Sequence, residues 1–340
     1  MTKPIASLSL DLDNKWSYLK THGDSGWQGF PSYLDKVVPR IMRAVNRSDV
    51  PMTVFVVGQD AALAKNRDAL QTLAAAGHEM ANHSFHHDPW LHRFSQVELT
   101  AEIARTEEAI EAATGVRPIG FRGPGYSRSD LLIDVLAARG YEYDASMLPS
   151  FVGPLARAYY FCTSRFNSQE KAERGQLFGK LSDGLSPLRP YWWDAEAGGG
   201  VVEIPVTTMP VIRMPVHFSY LLYLAKFSIT AAKLYWHTFL QACRMLRLEP
   251  SILMHPLDFL DVDDEPELAF FPAMTVPAEV KAAFVGDALA ALAERFDVVT
   301  LREHAARVRR RLGMRLPLTL PAVMMDAREP SPVETMVAGR

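Results

Sequence analysis

Short runs of apolar residues alternate with longer amphipathic segments along most of this 340-residue chain. Continuous apolar runs are typical of strands buried on both faces, and the amphipathic segments between them are typical of packed helices. The runs predict strands at residues 5–10, 52–57, 79–82, 118–122, 141–144, 200–206, 251–256 and 297–300. The amphipathic segments predict helices at residues 68–76, 95–114, 129–139 and 276–296. This alternation predicts a parallel sheet with crossover helices.

Helix boundaries are marked by local signals. Ser95 and Glu98 have the spacing of a capping box, which predicts a helix start. Gly77, Gly115 and Gly140 follow the last periodic residues of three predicted helices, where a glycine commonly ends a helix.

Three segments depart from the alternation. Residues 150–200 mix Pro, Gly, Arg and aromatic residues without a stable period, which indicates a long insertion or substrate loop. Residues 217–248 are apolar and aromatic with scattered Lys and Arg, and they predict one or two helices. We expect residues 1–310 to form the folded domain and residues 311–340 to form a tail.

Composition and charge narrow the class of protein. The chain is 48% hydrophobic and 22% charged, as globular proteins are, and its net charge of -3 gives no indication of nucleic acid binding. Cys162 and Cys243 are isolated, which favours a reducing compartment. The amino terminus lacks the apolar core of a signal peptide, and no apolar run reaches the length of about 18 residues that a membrane span needs. We therefore expect a cytoplasmic protein, with peripheral contact to the inner membrane face as an extension.

A histidine cluster holds the strongest chemical signal. His83, His86 and His87 lie within five positions, directly after a predicted strand. Imidazoles four residues apart can bind one metal ion, so His83 with His87 is the favoured pair and His83 with His86 is the rival. The alternative is that such a pair consists of surface or helix-capping histidines that bind no metal.

Two carboxylates support the interpretation of this histidine cluster as part of a metal site. Asp11 and Asp13 end the first predicted strand, and the histidines end what we expect to be an adjacent strand. Active sites of parallel α/β folds lie at these carboxyl ends. Two histidines and one aspartate form a three-ligand set that leaves coordination positions open for water and substrate.

Two further motifs follow predicted strands. Residues 120–126 (GFRGPGY) are richer in Gly and Pro than an ordinary turn, which favours a rigid loop presenting backbone N–H groups and the guanidinium of Arg122. His255 ends another predicted strand, where a core histidine and a general acid are about equally good interpretations.

The motifs occur in the order Asp-x-Asp, His-Ser-x-x-His, Arg-x-Pro-Gly-Tyr and Leu-x-His. This ordered set resembles the polysaccharide deacetylase family (NodB homology, carbohydrate esterase 4) over roughly residues 5–300. The resemblance implies a distorted (β/α) barrel with seven strands. It also implies a hydrolase that removes N- or O-acetyl groups from sugars with a divalent metal, usually Zn²⁺, with Co²⁺, Ni²⁺ and Mn²⁺ as alternatives.

The resemblance also implies a role for each motif residue. Asp11 matches the catalytic base, and Arg122 matches the arginine that orients it. His255 matches the acid that protonates the leaving group, and the backbone around Gly125 and Tyr126 matches the oxyanion-binding segment. The residues that match the metal ligands are Asp13, His83 and His87.

Two departures from the family pattern concern the aspartates. The common family form has adjacent aspartates, whereas Leu12 separates the two here. The family's Asp-x-x-Asp-Trp motif, a supporting carboxylate, is not evident. Asp144 and Asp194 are the two candidates for that role.

The substrate is inferred from indirect signals. A cytoplasmic deacetylase would meet a small glycoside, a nucleotide sugar or a lipid-linked sugar, and we expect residues 217–240 to contact lipid in the last case. Arginines of the insertion would then bind a lipid diphosphate: Arg157, Arg165, Arg174 and Arg189. The alternatives are a deformylase or amidohydrolase acting on another N-acyl compound, and an inactive carbohydrate-binding protein.

Overall fold

Nine strands form one sheet within the residues that the computed structural model describes, which are 3–154, 180–196 and 198–313. The strands are β1 (Ile5–Asp11), β2 (Thr53–Val56), β3 (Glu79–Asn82), β4 (Gly120–Phe121), β5 (Tyr143–Asp144), β6 (Tyr191–Asp194), β7 (Gly200–Glu203), β8 (Ser251–Met254) and β9 (Asp297–Val299). Their order is β6-β7-β5-β4-β3-β2-β1-β8, with β9 paired to β1. All pairs are parallel except β6 with β7.

Helices follow most of the strands as crossover connections. They are α1 (Lys15–His22), α2 (Leu34–Arg47), α3 (Gly58–Ala61), α4 (Arg67–Ala75), α5 (Gln96–Thr114), α6 (Asp130–Ala138), α7 (Phe218–Ala225), α8 (Ile229–Met245), α9 (Ala278–Arg295) and α10 (Leu301–Arg311). The predicted capping box is present at α5, where Ser95 accepts from the Glu98 backbone and Glu98 accepts from that of Ser95. None of the helices described is both long and apolar enough to cross a membrane.

The sheet curves into a distorted barrel whose seven parallel strands run from β7 to β8. The chain leaving β7 reaches β8 through Thr207, whose backbone N–H donates to the Ser251 carbonyl at 2.9 Å. The Ser251 N–H in turn donates to the Thr207 hydroxyl at 2.8 Å. These bonds bring the two ends of the parallel sheet together, so the predicted seven-stranded barrel is confirmed.

Alternate residues of β1 face two different environments. Ala6, Leu8 and Leu10 pack outward in the main core beneath the helices. Ser9 and Asp11 contact the guanidinium of Arg122, which is completely buried, so they line the barrel interior. The period of two along a strand therefore divides β1 into a packing face and a chemical face.

The lower part of the barrel interior is filled by α10. Its apolar residues Leu301, Ala305 and Val308 pack against interior residues of β2, β3, β5 and β7. Sequence analysis placed most of this segment in the folded domain but predicted no helix there. The boundary expected at residue 310 falls one residue before the end of α10, and residues 314–340 of the expected tail lie outside the described residues.

The structure adds detail to one further expectation about the fold and corrects another. The insertion expected at residues 150–200 contains β6, an antiparallel edge strand, although residues 155–179 lie outside the described residues. The aspartates and histidines were expected on adjacent strands, but β2 lies between β1 and β3. Curvature of the sheet brings the ends of β1 and β3 together across β2. Residues 217–248 were expected to form one or two helices, and they form two.

Candidate metal and proton-transfer site

The carboxyl ends of β1 and β3 bring three metal-ligand atoms into one cluster. Asp13 Oδ1 lies 2.9 Å from His87 Nε2 and 3.4 Å from His83 Nε2. The ligand atoms of these three buried residues all lie within 4.8 Å of one another. Asp13 Oδ1 is buried and has no assigned hydrogen-bond partner among the described residues. A buried carboxylate oxygen facing two ring nitrogens in this way is suited to a shared metal ion.

The protonation of His83 follows from its partner. Nδ1 of His83 lies 2.7 Å from the Arg122 carbonyl oxygen. A carbonyl can only accept, so Nδ1 carries a proton, and in the neutral ring Nε2 is the atom left with the lone pair that faces Asp13. A backbone carbonyl bonded to the far nitrogen is the usual way in which a metal-binding histidine is oriented.

The charge of Asp13 is set by opposing effects. Burial disfavours the carboxylate, but His87 and then His83 outweigh it and hold the pKa of Asp13 well below its ordinary value. The carboxylate therefore stays ionised at neutral pH, as a metal ligand must.

The loop that carries the histidines is fixed by a carboxylate that sequence analysis missed. Glu102 on α5 accepts the backbone N–H groups of Phe85 at 2.8 Å and His86 at 2.7 Å. Its second oxygen lies 2.8 Å from His86 Nδ1. His86 is thus directed toward α5, away from the metal-ligand cluster. His87 has a φ of 54°, a left-handed conformation that is uncommon outside glycine, and the Glu102 bonds help to hold this loop.

Asp11 lies beside the ligand cluster and is held by Arg122. Arg122 Nη1 donates to Asp11 Oδ1 at 2.6 Å and to Ser9 Oγ at 2.9 Å, and its Nε donates to the Ala145 carbonyl at 2.9 Å. The guanidinium also stacks over the Phe55 ring, 4.3 Å from its centroid. These contacts leave Asp11 Oδ2 facing the site, 4.0 Å from Nε2 of His83.

The loop after Arg122 is supported by Asp144. Gly123 N–H donates to Ser146 Oγ at 2.8 Å, and Ser146 donates to Asp144 Oδ1 at 2.6 Å. Gly123 has no room for a side chain, because a Cβ there would lie 2.0 Å from the Ser127 carbonyl oxygen. Burial, and then its neighbour Asp144, raises the pKa of Glu203 well above its ordinary value. Asp144 thus supports the arginine loop as part of a buried carboxyl pair.

Asp194 occupies a different environment from Asp144. It is exposed on β6, the edge strand, where it accepts the indole N–H of Trp192 at 2.8 Å. Of the two candidate supporting carboxylates, Asp144 is therefore the one connected to the Arg122 loop.

Gly125 and Tyr126 form a strained turn after Arg122. Both have positive φ, 58° for Gly125 and 62° for Tyr126. The Tyr126 backbone N–H already donates to the Gly123 carbonyl at 3.0 Å. Burial, and then the charge of Asp11, raises the pKa of Tyr126, so its hydroxyl stays protonated and remains a hydrogen-bond donor.

His255 follows β8 and also lies close to Asp11. Its Nε2 lies 4.0 Å from Asp11 Oδ2. Its Nδ1 lies 3.0 Å from the hydroxyl of Ser219, which sequence analysis had assigned only to an apolar helical segment. Ser219 is 36 residues away in sequence, and no local motif marks it.

Arginine residues of the insertion were expected to bind phosphate. Arg157, Arg165 and Arg174 lie outside the described residues. Arg189 donates to the carbonyls of Leu246 at 2.7 Å and Arg247 at 2.8 Å, so it caps the end of α8.

Comparison with known sequences finds a family model that matches part of the chain. Residues 22–143 match the family model described as polysaccharide deacetylase. The chain is 29% identical over 107 residues to the uncharacterized protein YlxY of Bacillus subtilis, covering 32% of this chain and 31% of that protein. It is 23% identical over 116 residues to a peptidoglycan deacetylase of Helicobacter pylori, covering 33% of this chain and 37% of that enzyme. The chain spans about a third of the length of these curated relatives.

Comparison with solved structures extends the likeness to the whole fold. A Mycobacterium smegmatis protein described provisionally as a polysaccharide deacetylase aligns with a TM-score of 0.58 and 19% identity, covering 94% of this chain and 98% of that one. PuuE allantoinase aligns with a TM-score of 0.53 and 14% identity, covering 90% of each chain. At these identities the likeness concerns the fold alone.

Proposed function

We propose that this chain, of which residues 22–143 match the polysaccharide deacetylase family model, is a metal-dependent hydrolase that removes an N-acetyl group from a sugar. The observation that carries the proposal is the convergence on Asp11. Its Oδ2 atom lies 4.0 Å from His83 Nε2 and 4.0 Å from His255 Nε2. A potential base, a metal-ligand cluster and a potential acid therefore surround one small volume.

Asp13, His83 and His87 are the residues that would hold the metal. Their donor set of one carboxylate oxygen and two imidazole nitrogens suits Zn²⁺ and leaves coordination positions open, while Co²⁺, Ni²⁺ and Mn²⁺ are compatible with the same atoms. When bound, such an ion would lower the pKa of a water molecule and polarise the acyl carbonyl. The orphaned Asp13 oxygen and the proton on His83 Nδ1 both support this assignment.

The remaining residues move protons. Arg122 holds Asp11 Oδ1 and keeps the carboxylate oriented, so Asp11 Oδ2 is free to accept a proton from the attacking water. An amide nitrogen leaves poorly as an anion, so His255 must protonate it, and Nε2 is the atom that faces the site. The two atoms are close enough to serve a single reacting carbon.

The developing oxyanion needs donors close to this carbon. The Tyr126 backbone N–H is engaged in its own turn, so we assign the role to the protonated Tyr126 hydroxyl or to the Gly125 backbone. Both residues follow directly from the loop that Arg122 anchors.

A substrate panel tests the reaction class. We expect acetate release from N-acetylated glucosamine oligomers, and little acetate or formate from simple N-acyl amines. Release from simple amides at the same kcat/KM as from sugars would instead identify a general amidohydrolase. Folded, metal-loaded protein that releases neither acid from any compound would favour an inactive carbohydrate-binding protein.

We further propose that the sugar is carried on a lipid at the inner face of a membrane. The corner between α7 and α8 supports this, because Phe227 is 71% exposed and Leu234 is 66% exposed. Lys226 lies beside Phe227 and suits an anionic surface. Ser219, at the other end of α7, contacts the His255 ring, so a helix of about 12 Å joins the exposed corner to the site.

Replacing Phe227 and Leu234 by serine is expected to weaken binding to phosphatidylglycerol vesicles about tenfold or more. Each large apolar side chain that enters a lipid surface contributes on the order of 2 kcal/mol. Co-sedimentation measures the effect, and Val97→Ser is the matched control, since Val97 is 79% exposed on α5. Wild-type protein that stays in the supernatant, or a double variant that sediments as well as wild type, would refute membrane contact.

A further inference from the structure

The ring of His255 is held from behind by two residues of different elements. Its Nδ1 lies 3.0 Å from Ser219 Oγ, at the start of α7. Ser219 Oγ lies 2.8 Å from Asp258 Oδ1, in the 3₁₀ turn after β8. The second oxygen of Asp258 accepts the His255 backbone N–H at 2.7 Å. The three residues therefore form a closed set of hydrogen bonds behind the ring.

The direction of these bonds is fixed by their chemistry. A carboxylate can only accept, so Ser219 gives its single hydroxyl proton to Asp258. The lone pairs of Ser219 then face Nδ1, and a hydrogen bond forms there only if Nδ1 carries a proton. The neutral His255 ring is thereby the Nδ1–H tautomer, and Nε2 is the nitrogen that gains and loses a proton.

We propose that Ser219 and Asp258 are positioning residues that fix the tautomer of His255 and direct its Nε2 toward the leaving nitrogen. This inference rests on the proposed deacetylase function. For His255 it names a supporting carboxylate other than Asp144 and Asp194, the two candidates from the sequence. Asp144 bonds to Ser146 beneath the Arg122 loop, and Asp194 bonds to Trp192 at the sheet edge.

The charged and titratable groups around His255 are consistent with this assignment. Asp11 faces Nε2 across the site, and Asp258 lies behind Nδ1 with Lys281 as its cationic neighbour. The ring of His217 lies 6.0 Å from that of His255, centroid to centroid. Burial, and then His255, lowers the pKa of His217 to about 3, so His217 stays neutral and does not replace His255 as the acid.

A comparison of two leaving groups separates positioning from general disruption. An amide nitrogen needs the acid, whereas 4-nitrophenolate leaves readily without one. Ser219→Ala is expected to lower kcat on an N-acetylglucosamine oligomer about tenfold or more and to leave 4-nitrophenyl acetate turnover within about twofold of wild type. Ser219→Thr keeps the hydroxyl and is expected to recover most of the amide activity.

Ser228→Ala is the matched structural control. Ser228 caps the next helix, α8, by accepting the Ala231 N–H at 3.2 Å, so its loss perturbs the same helical pair without contacting His255. It is expected to affect the two substrates equally. If Ser219→Ala also lowers both turnovers equally, the positioning role is wrong.

A readout that needs no catalysis distinguishes this inference from the proposed function. Nitrogen-15 spectra of the histidine rings, assigned with His255→Gln, are expected to report Nδ1–H for neutral His255 and a shift toward Nε2–H in Ser219→Ala. A wild-type ring that already carries Nε2–H would overturn the inference. If the protein gives the expected spectra but releases no acetate, the positioning of His255 by Ser219 and Asp258 would be supported. The proposed deacetylase function would then be refuted.

Discussion

Replacing Asp11 by asparagine is expected to lower kcat for acetate release about a thousandfold, while zinc stays bound. The amide cannot accept a proton from water, and positioned general bases contribute about 10² to 10⁴ in rate. Asp11 Oδ2 lies 4.0 Å from each imidazole, so no ligand atom is removed by the substitution. Steady-state kinetics and metal content, measured on the same preparation, check both halves of this expectation.

The same substitution is expected to lower stability. Arg122 is completely buried and donates to Asp11 at 2.6 Å, and a buried ion pair broken on one side commonly costs about 3–5 kcal/mol. Thermal unfolding therefore accompanies the kinetics, and assays run well below the variant's Tm. Asp194→Asn is the matched control, because Asp194 is exposed and its side chain accepts a hydrogen bond from Trp192 at the sheet edge, far from Arg122 in the strand order. An Asp11→Asn enzyme that keeps a tenth of wild-type kcat would exclude Asp11 as the base.

Replacing His87 by alanine is expected to weaken zinc binding more than about 100-fold and to reduce acetate release to background. Even partners outside the ligand set change metal affinity by about 10- to 100-fold, and the loss of a ligand costs more. Titration with zinc measures the affinity, and the substitution leaves Asp13 and His83 as the two remaining ligands of the cluster.

His86→Ala is the control that the chain itself supplies. His86 is the immediate neighbour of His87, but its Nδ1 is bonded to Glu102, and its Nε2 lies 3.5 Å from Arg105. We expect His86→Ala to retain zinc within about tenfold of wild type. Loss of zinc from His86→Ala, with retention by His87→Ala, would reverse the ligand assignment in favour of the rival pair.

Much of the fold could be predicted from the sequence because the signals that mark its strands and helices are local. The strand at Glu79–Asn82 and the end of the helix at Thr114 were predicted to the residue, since an apolar run, a capping box and a glycine mark them. The helix Leu301–Arg311 was missed because its apolar side meets the barrel interior while arginines cover the other side. Its burial depends on strands far away in sequence, which no local pattern records.

The residues of the candidate site also fall into a group that local sequence signals mark and a group that they do not. Asp11, Asp13, His83, Arg122 and His255 could be proposed together because each lies at or just after the end of a predicted strand, and parallel strands end at one edge of a sheet. The supporting residues lie on helices and turns remote from their targets, and nothing near them indicates a partner. Those missed residues are Glu102, Ser219 and Asp258.

The most direct measurement of the central claim is acetate release from an N-acetylglucosamine oligomer by one protein preparation in three states. The states are as purified, stripped of metal with a chelator, and stripped then reloaded with zinc. We predict release with an equal amount of new free amine in the first state, loss of release in the second, and recovery in the third. Release that is unaffected by stripping, or a folded zinc-loaded protein that releases no acetate, would contradict the account.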